Sequence, residues 1–355
     1  MFSRYLKTAL AILRSNRERL PHPYKLTLAL THRCNLRCQS CLTWKRPTVG
    51  EMTLEEIRRF FQRQRHFSWV DLTGGEITLR PDLPEIIEAV VENSPQLILL
   101  HFPTNGFLPE KALRAARAGS GIWGLKRVIT VSMDGPPDVH NRLKGTKDSW
   151  ERAVETFAAL RREKGIEVFL GMTLQRDNIE LRRQTLAAVR ERLPDIQPRD
   201  FHYNLAHRSF FYDNLELDPV PDPDIALSEL RNLIDGYRPL PGPRKFLERA
   251  YLKGAVKFVV QGTSPLPCLA GSSSCFIDPQ WNVYPCTGYD RRLGNLRETD
   301  FDLGRIWNDP GTVSLQKEII SGHCPQCWTP CEAYQTILGN LFCRRRPMAP
   351  SPPEI

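Results

Sequence analysis

The sequence predicts an α/β protein: a partial (β/α)6 barrel of the TIM type, followed by a small cysteine-rich C-terminal domain. Three observations support this prediction. Short apolar runs alternate with amphipathic segments from residue 24 to about 206, polar motifs follow the apolar runs, and seven of the ten cysteines fall between residues 268 and 343. Alternating strand and helix patterns indicate parallel strands joined by helices. In such a barrel the chemistry gathers at the carboxyl ends of the strands.

The period of the apolar residues places the elements of the barrel. Strands are expected at 24–31, 68–73, 97–103, 127–133, 166–173 and 200–206. Helices are expected between them, at 53–66, 81–93, 109–118, 148–163 and 178–192. Thr53, followed by Glu55 and Glu56, is typical of a helix start, because acidic residues are favourable in the first turn.

The chain divides into five predicted segments. They are an amphipathic N-terminal helix (1–23), the barrel (24–213), a Pro-rich linker with helices near 224–235 and 244–260 (214–265), the cysteine-rich domain (266–345) and a Pro-rich tail (346–355).

The N-terminal segment reads as an amphipathic helix over residues 2–20. Its apolar stripe consists of Phe2, Tyr5, Leu6, Ala9, Leu10 and Leu13. We expect this helix to pack on the barrel. The alternative is contact with a membrane surface, with the basic residues of the segment facing lipid head groups.

Composition and charge restrict the class of protein. The chain has 355 residues, 41% of them hydrophobic and 25% charged, and a net charge of +9, which favours anionic partners. No nucleic-acid-binding motif is present, so nucleic acid is not an expected partner. No signal peptide and no apolar run of membrane-spanning length are visible. We therefore expect a reducing, cytoplasmic location, peripheral to the inner face of the membrane if the N-terminal helix binds lipid, with cysteines that hold metal.

Cys34, Cys38 and Cys41 follow the first predicted strand, and three thiols within eight residues can converge on one metal centre. A tetrahedral zinc site would need a fourth protein ligand. A [4Fe–4S] cube held by three thiolates keeps one iron open, whereas cubes otherwise take four cysteines. A zinc knuckle and three unrelated thiols are the alternatives.

Polar motifs follow the next predicted strands as well. Gly74-Gly75-Glu76 follows the second, where glycines let the backbone approach a ligand and a carboxylate can accept a hydrogen bond from an ammonium group. Asn105 lies in a possible turn after the third strand. The remaining candidates are Ser132 and Asp134 after the fourth strand, Arg142 shortly beyond them, and Thr173 at the end of the fifth.

The cysteine spacing and these motifs together resemble the radical SAM superfamily. The resemblance implies that Cys34, Cys38 and Cys41 hold a [4Fe–4S] cluster whose open iron binds S-adenosylmethionine (SAM). The reduced cluster then cleaves SAM to a 5′-deoxyadenosyl radical, which removes a hydrogen atom from a substrate. The resemblance also implies SAM-binding roles for one set of residues: Gly74, Gly75, Glu76, Asn105, Ser132, Asp134, Arg142 and Thr173. Ile77 stands where family members often have proline.

The seven C-terminal cysteines resemble a SPASM/twitch domain, which holds one or two auxiliary iron–sulfur clusters. They are Cys268, Cys275, Cys286, Cys324, Cys327, Cys331 and Cys343. Two fully ligated cubes need eight cysteines, so we expect one auxiliary cluster, on Cys268, Cys286, Cys324 and Cys327, or two with one incomplete. Cys275 is an alternative to Cys268, and Cys331 and Cys343 are candidate ligands of a second cluster. A zinc ribbon on Cys324 and Cys327 is the alternative.

The sequence therefore predicts a radical SAM enzyme that abstracts a hydrogen atom. The expected substrate is a peptide or protein side chain. A low-potential donor such as flavodoxin or ferredoxin would supply the electron. The alternatives are modification of a lipid or small polyol at a membrane surface and a non-catalytic iron–sulfur or zinc protein.

Overall fold

A single curved sheet organises the molecule, and its order places the cysteine loop. The computed structural model describes residues 2–15, 17–236 and 243–341. Within these residues the sheet has nine strands in the order β6-β5-β4-β3-β2-β1-β7-β8-β9. The strands are β1 (Lys25–Ala29), β2 (Trp69–Thr73), β3 (Leu99–Thr104), β4 (Lys126–Ser132), β5 (Ile166–Leu174), β6 (Phe201–Leu205), β7 (Ser274–Ile277), β8 (Asn282–Tyr284) and β9 (Gly294–Asn295).

Helices connect the barrel strands and complete the C-terminal part. They are α1 (Phe2–Ser15), α2 (Leu54–Arg63), α3 (Leu83–Asn93), α4 (Pro109–Arg117), α5 (Pro137–Lys144), α6 (Ser149–Leu160), α7 (Arg182–Arg192), α8 (Pro223–Gly236), α9 (Pro243–Gln261), α10 (Leu303–Trp307), α11 (Pro310–Ile320) and α12 (Pro330–Asn340). The predicted start of α2 is a capping box, in which Thr53 and Glu56 each accept from the other's backbone N–H.

The fold class predicted from the sequence is confirmed. Strands β1 to β6 pair in parallel in chain order, as consecutive strand–helix units require. Each predicted barrel strand ends within two residues of the observed one. Helix α5 was not predicted, because its eight residues follow a Gly-Pro-Pro turn and carry no long apolar period.

Strand β1 is the strand that joins the two parts of the chain. It pairs in parallel with β2 on one edge and with β7, the first strand of the cysteine-rich part, on the other. Leu26 and Leu28 belong to the apolar core that the helices cover. Lys25, one residue before Leu26, projects to the opposite face, where its Nζ lies 3.2 Å from an Asp71 carboxylate oxygen.

Helix α1 lies on the barrel, but not through the expected stripe. Thr8 and Ser15 are buried, whereas Leu6, Leu10 and Leu13 of the predicted stripe are exposed. The expectation that the stripe packs on the barrel is therefore wrong: residues three and four apart share a helix face, and the buried face is the small, polar one. The helix also ends at Ser15, earlier than the predicted residue 20.

Candidate active site

The predicted site residues come from five neighbouring strand ends. The cysteine loop follows β1, the Gly-Gly-Glu segment follows β2, Asn105 follows β3, Asp134 follows β4, and Thr173 lies near the end of β5. Because parallel strands end at one edge of the sheet, these segments meet there, as the barrel geometry predicts.

The two glycines bring the β2 loop against the cysteine loop. Gly75 N–H donates to the Thr31 carbonyl at 2.8 Å, and Glu76 N–H donates to the Arg33 carbonyl at 2.8 Å. A Cβ on Gly75 would lie 2.2 Å from the Arg33 carbonyl oxygen, and one on Gly74 would lie 2.4 Å from that of Thr31. The missing side chains thus admit the backbone that carries the cysteines, in addition to any ligand.

Glu76 is 1% exposed, and its carboxylate ties the β2 and β3 loops together. Oε1 accepts from Thr78 N–H and Oγ1 and from Thr104 Oγ1, whereas Oε2 accepts from Asn105 N–H at 2.6 Å. Burial raises the pKa of Glu76, and these hydrogen bonds oppose that shift. A carboxylate offers about four acceptor positions, so Oε2 retains one for a further donor.

Asn105 reaches the cysteine loop directly. Its Nδ2 donates to Asn35 Oδ1 at 2.8 Å, and its Oδ1 accepts from Phe107 N–H at 2.9 Å. Asn35 Nδ2 is buried without a hydrogen-bond partner in the described part of the chain. This arrangement places one unpaired donor between Cys34 and Cys38, where a polar ligand group could meet it.

Asp134 and Lys144 form a buried ion pair beside the cysteines. Lys144 Nζ lies 2.7 Å from Asp134 Oδ2, and the two residues are 8% and 6% exposed. Asp134 Oδ1 accepts from Thr173 N–H at 2.8 Å. Lys144 lies within electrostatic range of Cys34 and Cys38, where its positive charge favours the thiolate form of both. No sequence motif marks Lys144, because it lies in α5, a short helix without a long apolar period.

The C-terminal end of α5 also holds the cysteine loop by its backbone. The carbonyls of Leu143 and Lys144 accept from Gln39 N–H at 3.0 Å and Arg37 N–H at 3.1 Å. Helix ends leave such carbonyls without intrahelical partners, so the loop satisfies them. Gly145 ends the helix with φ +70° and lies close to the Arg37 backbone.

Two other candidate residues lie nearby, and one lies apart. Ser132 is half-buried at the end of β4, opposite Gly171 of β5. Thr173 uses its backbone N–H to hold Asp134. Arg142, in contrast, is 54% exposed and forms a loose ion pair with Asp177 at 3.9 Å. The structure thus gives the buried positive charge of the site to Lys144 rather than to Arg142.

The thiols of the cysteine loop are partly buried. Burial raises the pKa of Cys34, and it raises the pKa of Cys38 to about 11. Such thiols ionise when a metal takes them as ligands. In the described residues no three His, Cys, Asp or Glu side chains are placed to hold a single metal ion. A cube suits more widely spaced thiols, because each thiolate takes its own iron.

The structure brings four C-terminal cysteines together. Cys268, Cys286 and Cys324 pack in one cluster around Leu315 and Ile319. Cys327 lies within electrostatic range of Cys268, Cys324 and Cys331. Burial raises the pKa of all four thiols, that of Cys268 to about 12. A soft metal centre could hold these buried sulfurs as thiolates.

The other C-terminal cysteines have different positions. Cys275 is fully buried within β7, opposite Leu26 of β1, and belongs to the apolar core of the barrel. Cys331 is the second residue of α12, within electrostatic range of Cys327, and its carbonyl accepts from Lys25 Nζ. Cys343 lies outside the described residues.

Two residues that no sequence motif marks, Glu332 and Tyr212, lie beside cysteines. Glu332 is buried and lies within electrostatic range of Cys268, Cys275 and Cys286. Tyr212, which follows the last barrel strand, lies within electrostatic range of Cys41 and of Cys331, and burial raises its pKa.

Two family models match the chain. The radical SAM superfamily model matches residues 28–189, and the iron–sulfur cluster-binding SPASM domain model matches residues 268–332. The radical SAM domain implies a [4Fe–4S] cluster that works with SAM. The SPASM domain implies auxiliary iron–sulfur clusters. No helix in the described ranges is long and apolar enough to cross a membrane.

Similar proteins share most of the chain's length. The subtilosin biosynthesis protein AlbA of Bacillus subtilis is 24% identical over 91% of this chain and 68% of its own. The Fe-coproporphyrin III synthase of Methanosarcina barkeri is 23% identical over 89% and 82%. A PqqA peptide cyclase of Xanthomonas oryzae is 26% identical over 92% and 89%. The crystal structure of Streptococcus suis SuiB bound to SAM superposes with a TM-score of 0.60 at 17% identity, over 87% of this chain and 71% of SuiB. The chain is an enzyme that belongs to the radical SAM superfamily and carries a C-terminal SPASM domain.

Proposed function

We propose that this enzyme abstracts a hydrogen atom from a peptide or protein side chain. The observation that carries the proposal is the convergence of the cysteine loop, Gly74-Gly75-Glu76 and Asp134–Lys144 at one end of the barrel. When bound there, a [4Fe–4S] cluster with SAM supplies a 5′-deoxyadenosyl radical. The chain's own residues bind, orient and shield the reacting groups.

Each residue of the site has a proposed task. Cys34, Cys38 and Cys41 provide the thiolates, and Lys144 compensates part of their negative charge. Glu76 uses its remaining acceptor position on Oε2 for the ammonium group of SAM. The other proposed SAM contacts are Asn105, Ser132 and Thr173, and Arg142 would need to move from the surface to contribute.

The C-terminal part has a proposed auxiliary cluster on Cys268, Cys286, Cys324 and Cys327. Their mutual proximity supports this set over one with Cys275. The alternative is a second, incomplete cluster that Cys331 and Cys343 would ligate. We assign residues 24–213 to the barrel and 266–345 to the auxiliary domain.

Relatives support a peptide as the substrate class. AlbA is named for subtilosin biosynthesis and the Xanthomonas relative for cyclising the peptide PqqA, and SuiB has been crystallised with its precursor peptide SuiA. A second candidate is a small non-peptide substrate, because another relative is named for making Fe-coproporphyrin III. We propose flavodoxin or ferredoxin as the electron donor.

The test begins with a variant that lacks Cys34, Cys38 and Cys41, each replaced by alanine. After anaerobic reconstitution and reduction with dithionite, wild-type protein should form 5′-deoxyadenosine and the variant none. Undiminished formation by the variant would contradict the assignment. Incubation with a short peptide encoded beside this gene then tests the substrate class: a mass change in that peptide, with matching 5′-deoxyadenosine, supports it.

A further inference from the structure

Helix α1 crosses the amino ends of the barrel strands, opposite the cysteine loop. Arg4 Nη1 donates to the Leu97 carbonyl at 3.2 Å, and Tyr5 OH donates to the Gly124 carbonyl at 3.0 Å. Leu97 lies two residues before β3, and Gly124 lies two residues before β4. The surface that α1 presents is thus distant from the candidate active site.

The outer face of α1 is apolar. Leu6, Leu10 and Leu13 are 48%, 49% and 39% exposed, whereas Thr8 and Ser15 on the opposite face are buried. An amphipathic surface helix ordinarily buries its apolar face. Here the polarity is reversed, so the exposed face is available to something outside the molecule.

A neighbouring loop extends this apolar surface. Trp123 is 75% exposed and Ile122 is 37% exposed, and Arg4 Nη2 ties the loop to α1 by donating to the Trp123 carbonyl at 3.2 Å. In the described ranges, six of the thirteen exposed large apolar side chains lie here. We call this set the basal patch: Tyr5, Leu6, Leu10, Leu13, Ile122 and Trp123. Contiguous exposed apolar side chains mark interaction sites.

Basic side chains border the basal patch, whereas a cavity lies beneath α1 on the opposite side of the helix, where Thr8 and Ala11 line it. Its volume is about 490 Å³, and its lining includes Lys7, Arg65, His22, His66 and Gln96 but, in the described chain, no carboxylate. His66 Nε2 and Gln96 Oε1 are buried without hydrogen-bond partners among the described residues. The positive charge next to the patch lies on α1 itself, where Lys7 and Arg14 are exposed beside the leucines and the helix sequence contains no acidic residue.

We propose that the basal patch docks this protein on an anionic lipid surface, with Lys7 and Arg14 beside the lipid head groups. A helix with an apolar face beside basic side chains lies in the plane of such an interface. Tryptophan concentrates at the same depth. Lys and Arg side chains near an anionic surface strengthen the attraction to it. Charge complementarity therefore favours lipid over a protein partner.

Docking in this orientation has a consequence for the active site. The cysteine loop lies at the opposite end of the barrel, so it would face away from the lipid and towards water. A lipid-bound enzyme of this kind would still receive a substrate from solution. The docking surface and the reaction are therefore separable, and each can be tested without the other.

The experiment measures co-sedimentation of the reconstituted full chain with vesicles. Phosphatidylcholine vesicles that contain phosphatidylglycerol should bind the protein, and vesicles of phosphatidylcholine alone should bind it more weakly. The double variant Leu6→Glu/Leu10→Glu should bind at least about tenfold more weakly, because two apolar side chains no longer leave water. Lys7→Glu should reduce binding to the anionic vesicles only.

A matched control is Val260→Glu, which alters a side chain that is 64% exposed on α9. It should bind vesicles like the wild type. All three variants should form 5′-deoxyadenosine at the wild-type rate without vesicles, which separates this proposal from the proposed function. The proposal would be overturned if wild-type protein did not co-sediment with anionic vesicles. A stable dimer, seen by light scattering, that the double variant dissociates would overturn it too, because the patch would then bind a second copy.

Discussion

At the scale of single residues, Gly75 sets the distance between two loops of the site. Glycine is required here because another stretch of backbone approaches closely. Its φ is not the reason, since that angle lies outside the left-handed region. The atoms that a Cβ would meet belong to the main chain of Arg33, which cannot rotate away as a side chain could.

Gly75→Ala should therefore displace the cysteine loop. We expect destabilisation by about 1–3 kcal/mol, the usual cost of overpacking, and loss of the iron bound by Cys34, Cys38 and Cys41. Urea unfolding and iron analysis after anaerobic reconstitution measure both effects. Gly236→Ala is the matched control, since a Cβ there meets nothing within 4 Å. Full iron content in Gly75→Ala would show that the loop tolerates the shift.

His140 makes a pH-dependent contribution to stability. Its Nδ1 accepts from Asp134 N–H at 2.9 Å, so the neutral ring keeps its proton on Nε2, which lies 3.0 Å from Ser149 Oγ. Burial lowers the pKa of His140 to about 3. Histidine in an unfolded chain has a pKa of about 6.5, so the unfolded state takes up the proton first as the pH falls. The contribution is complete above about pH 6.5 and is lost progressively towards about pH 3.

His140→Gln should flatten this dependence. Between about pH 7 and about pH 5.5, wild-type protein should lose about 1 kcal/mol more unfolding free energy than the variant. Anaerobic urea titrations, with cluster absorbance recorded alongside, provide the measurement. His323→Gln, which changes an exposed ring, should follow the wild type. Parallel curves for wild type and His140→Gln would refute the assigned role.

Residue positions divide into those that a local pattern reveals and those that it does not. Cys34 and Gly75 were found because their spacing after a strand is itself the signal. Lys144 and Tyr212 were not found, because each reaches the site through an element whose position depends on the whole barrel. Lys25 had a usable signal: a charge that alternates with buried Leu26 in a strand lies on the barrel's inner face.

At the scale of elements, the C-terminal hairpin and helices arrange the remaining cysteines. Strand β7 holds Cys275 inside the apolar core, whereas the segments before β7, after β8 and before α12 carry the four cysteines that lie together. Sequence spacing alone left Cys268 and Cys275 as alternatives, because both precede the hairpin turn. Which one joins the group depends on the pairing of β7 with β1.

This arrangement predicts different outcomes for two substitutions made in the variant without Cys34, Cys38 and Cys41. That background should keep about four irons and four sulfides per chain, or nearly twice as many with two auxiliary clusters. Adding Cys327→Ala should remove most of this iron. Adding Cys275→Ala should retain it and cost only packing. Elemental analysis with Mössbauer spectroscopy distinguishes the cases, and stoichiometric zinc in place of iron would make the domain a structural ribbon.

At the scale of the whole molecule, the side chain of Trp281 packs the β7–β8 hairpin against the barrel. The φ of Trp281 is +68°, in the left-handed region that favours glycine. The ring is fully buried, packs 5.3 Å from that of Phe60 on α2, and lies 5.1 Å from that of Phe301. The turn is thus strained at Trp281, and the buried ring connects the two parts of the chain.

Trp281→Gly compares these two effects. Relief of the left-handed conformation should raise the free energy of unfolding by about 1–3 kcal/mol. Loss of a buried tryptophan should lower it by about 3–5 kcal/mol. We expect a net loss of about 2 kcal/mol, measured by thermal unfolding of the reconstituted protein. Trp123→Gly, at a largely exposed ring, should cost less. A stabilised Trp281→Gly variant would mean that strain outweighs packing.

The position of β1 inside the sheet has a consequence for how the protein is made. A ribosome completes β1 early, but β7, which covers its second edge, emerges roughly 245 residues later, about 12–50 s at typical rates of synthesis. During that interval the nascent chain displays an apolar strand with one row of unpaired backbone groups, the kind of edge that recruits other strands. Slow translation or premature termination would prolong this exposure, so production of this enzyme should depend on chaperones that shield unfinished chains.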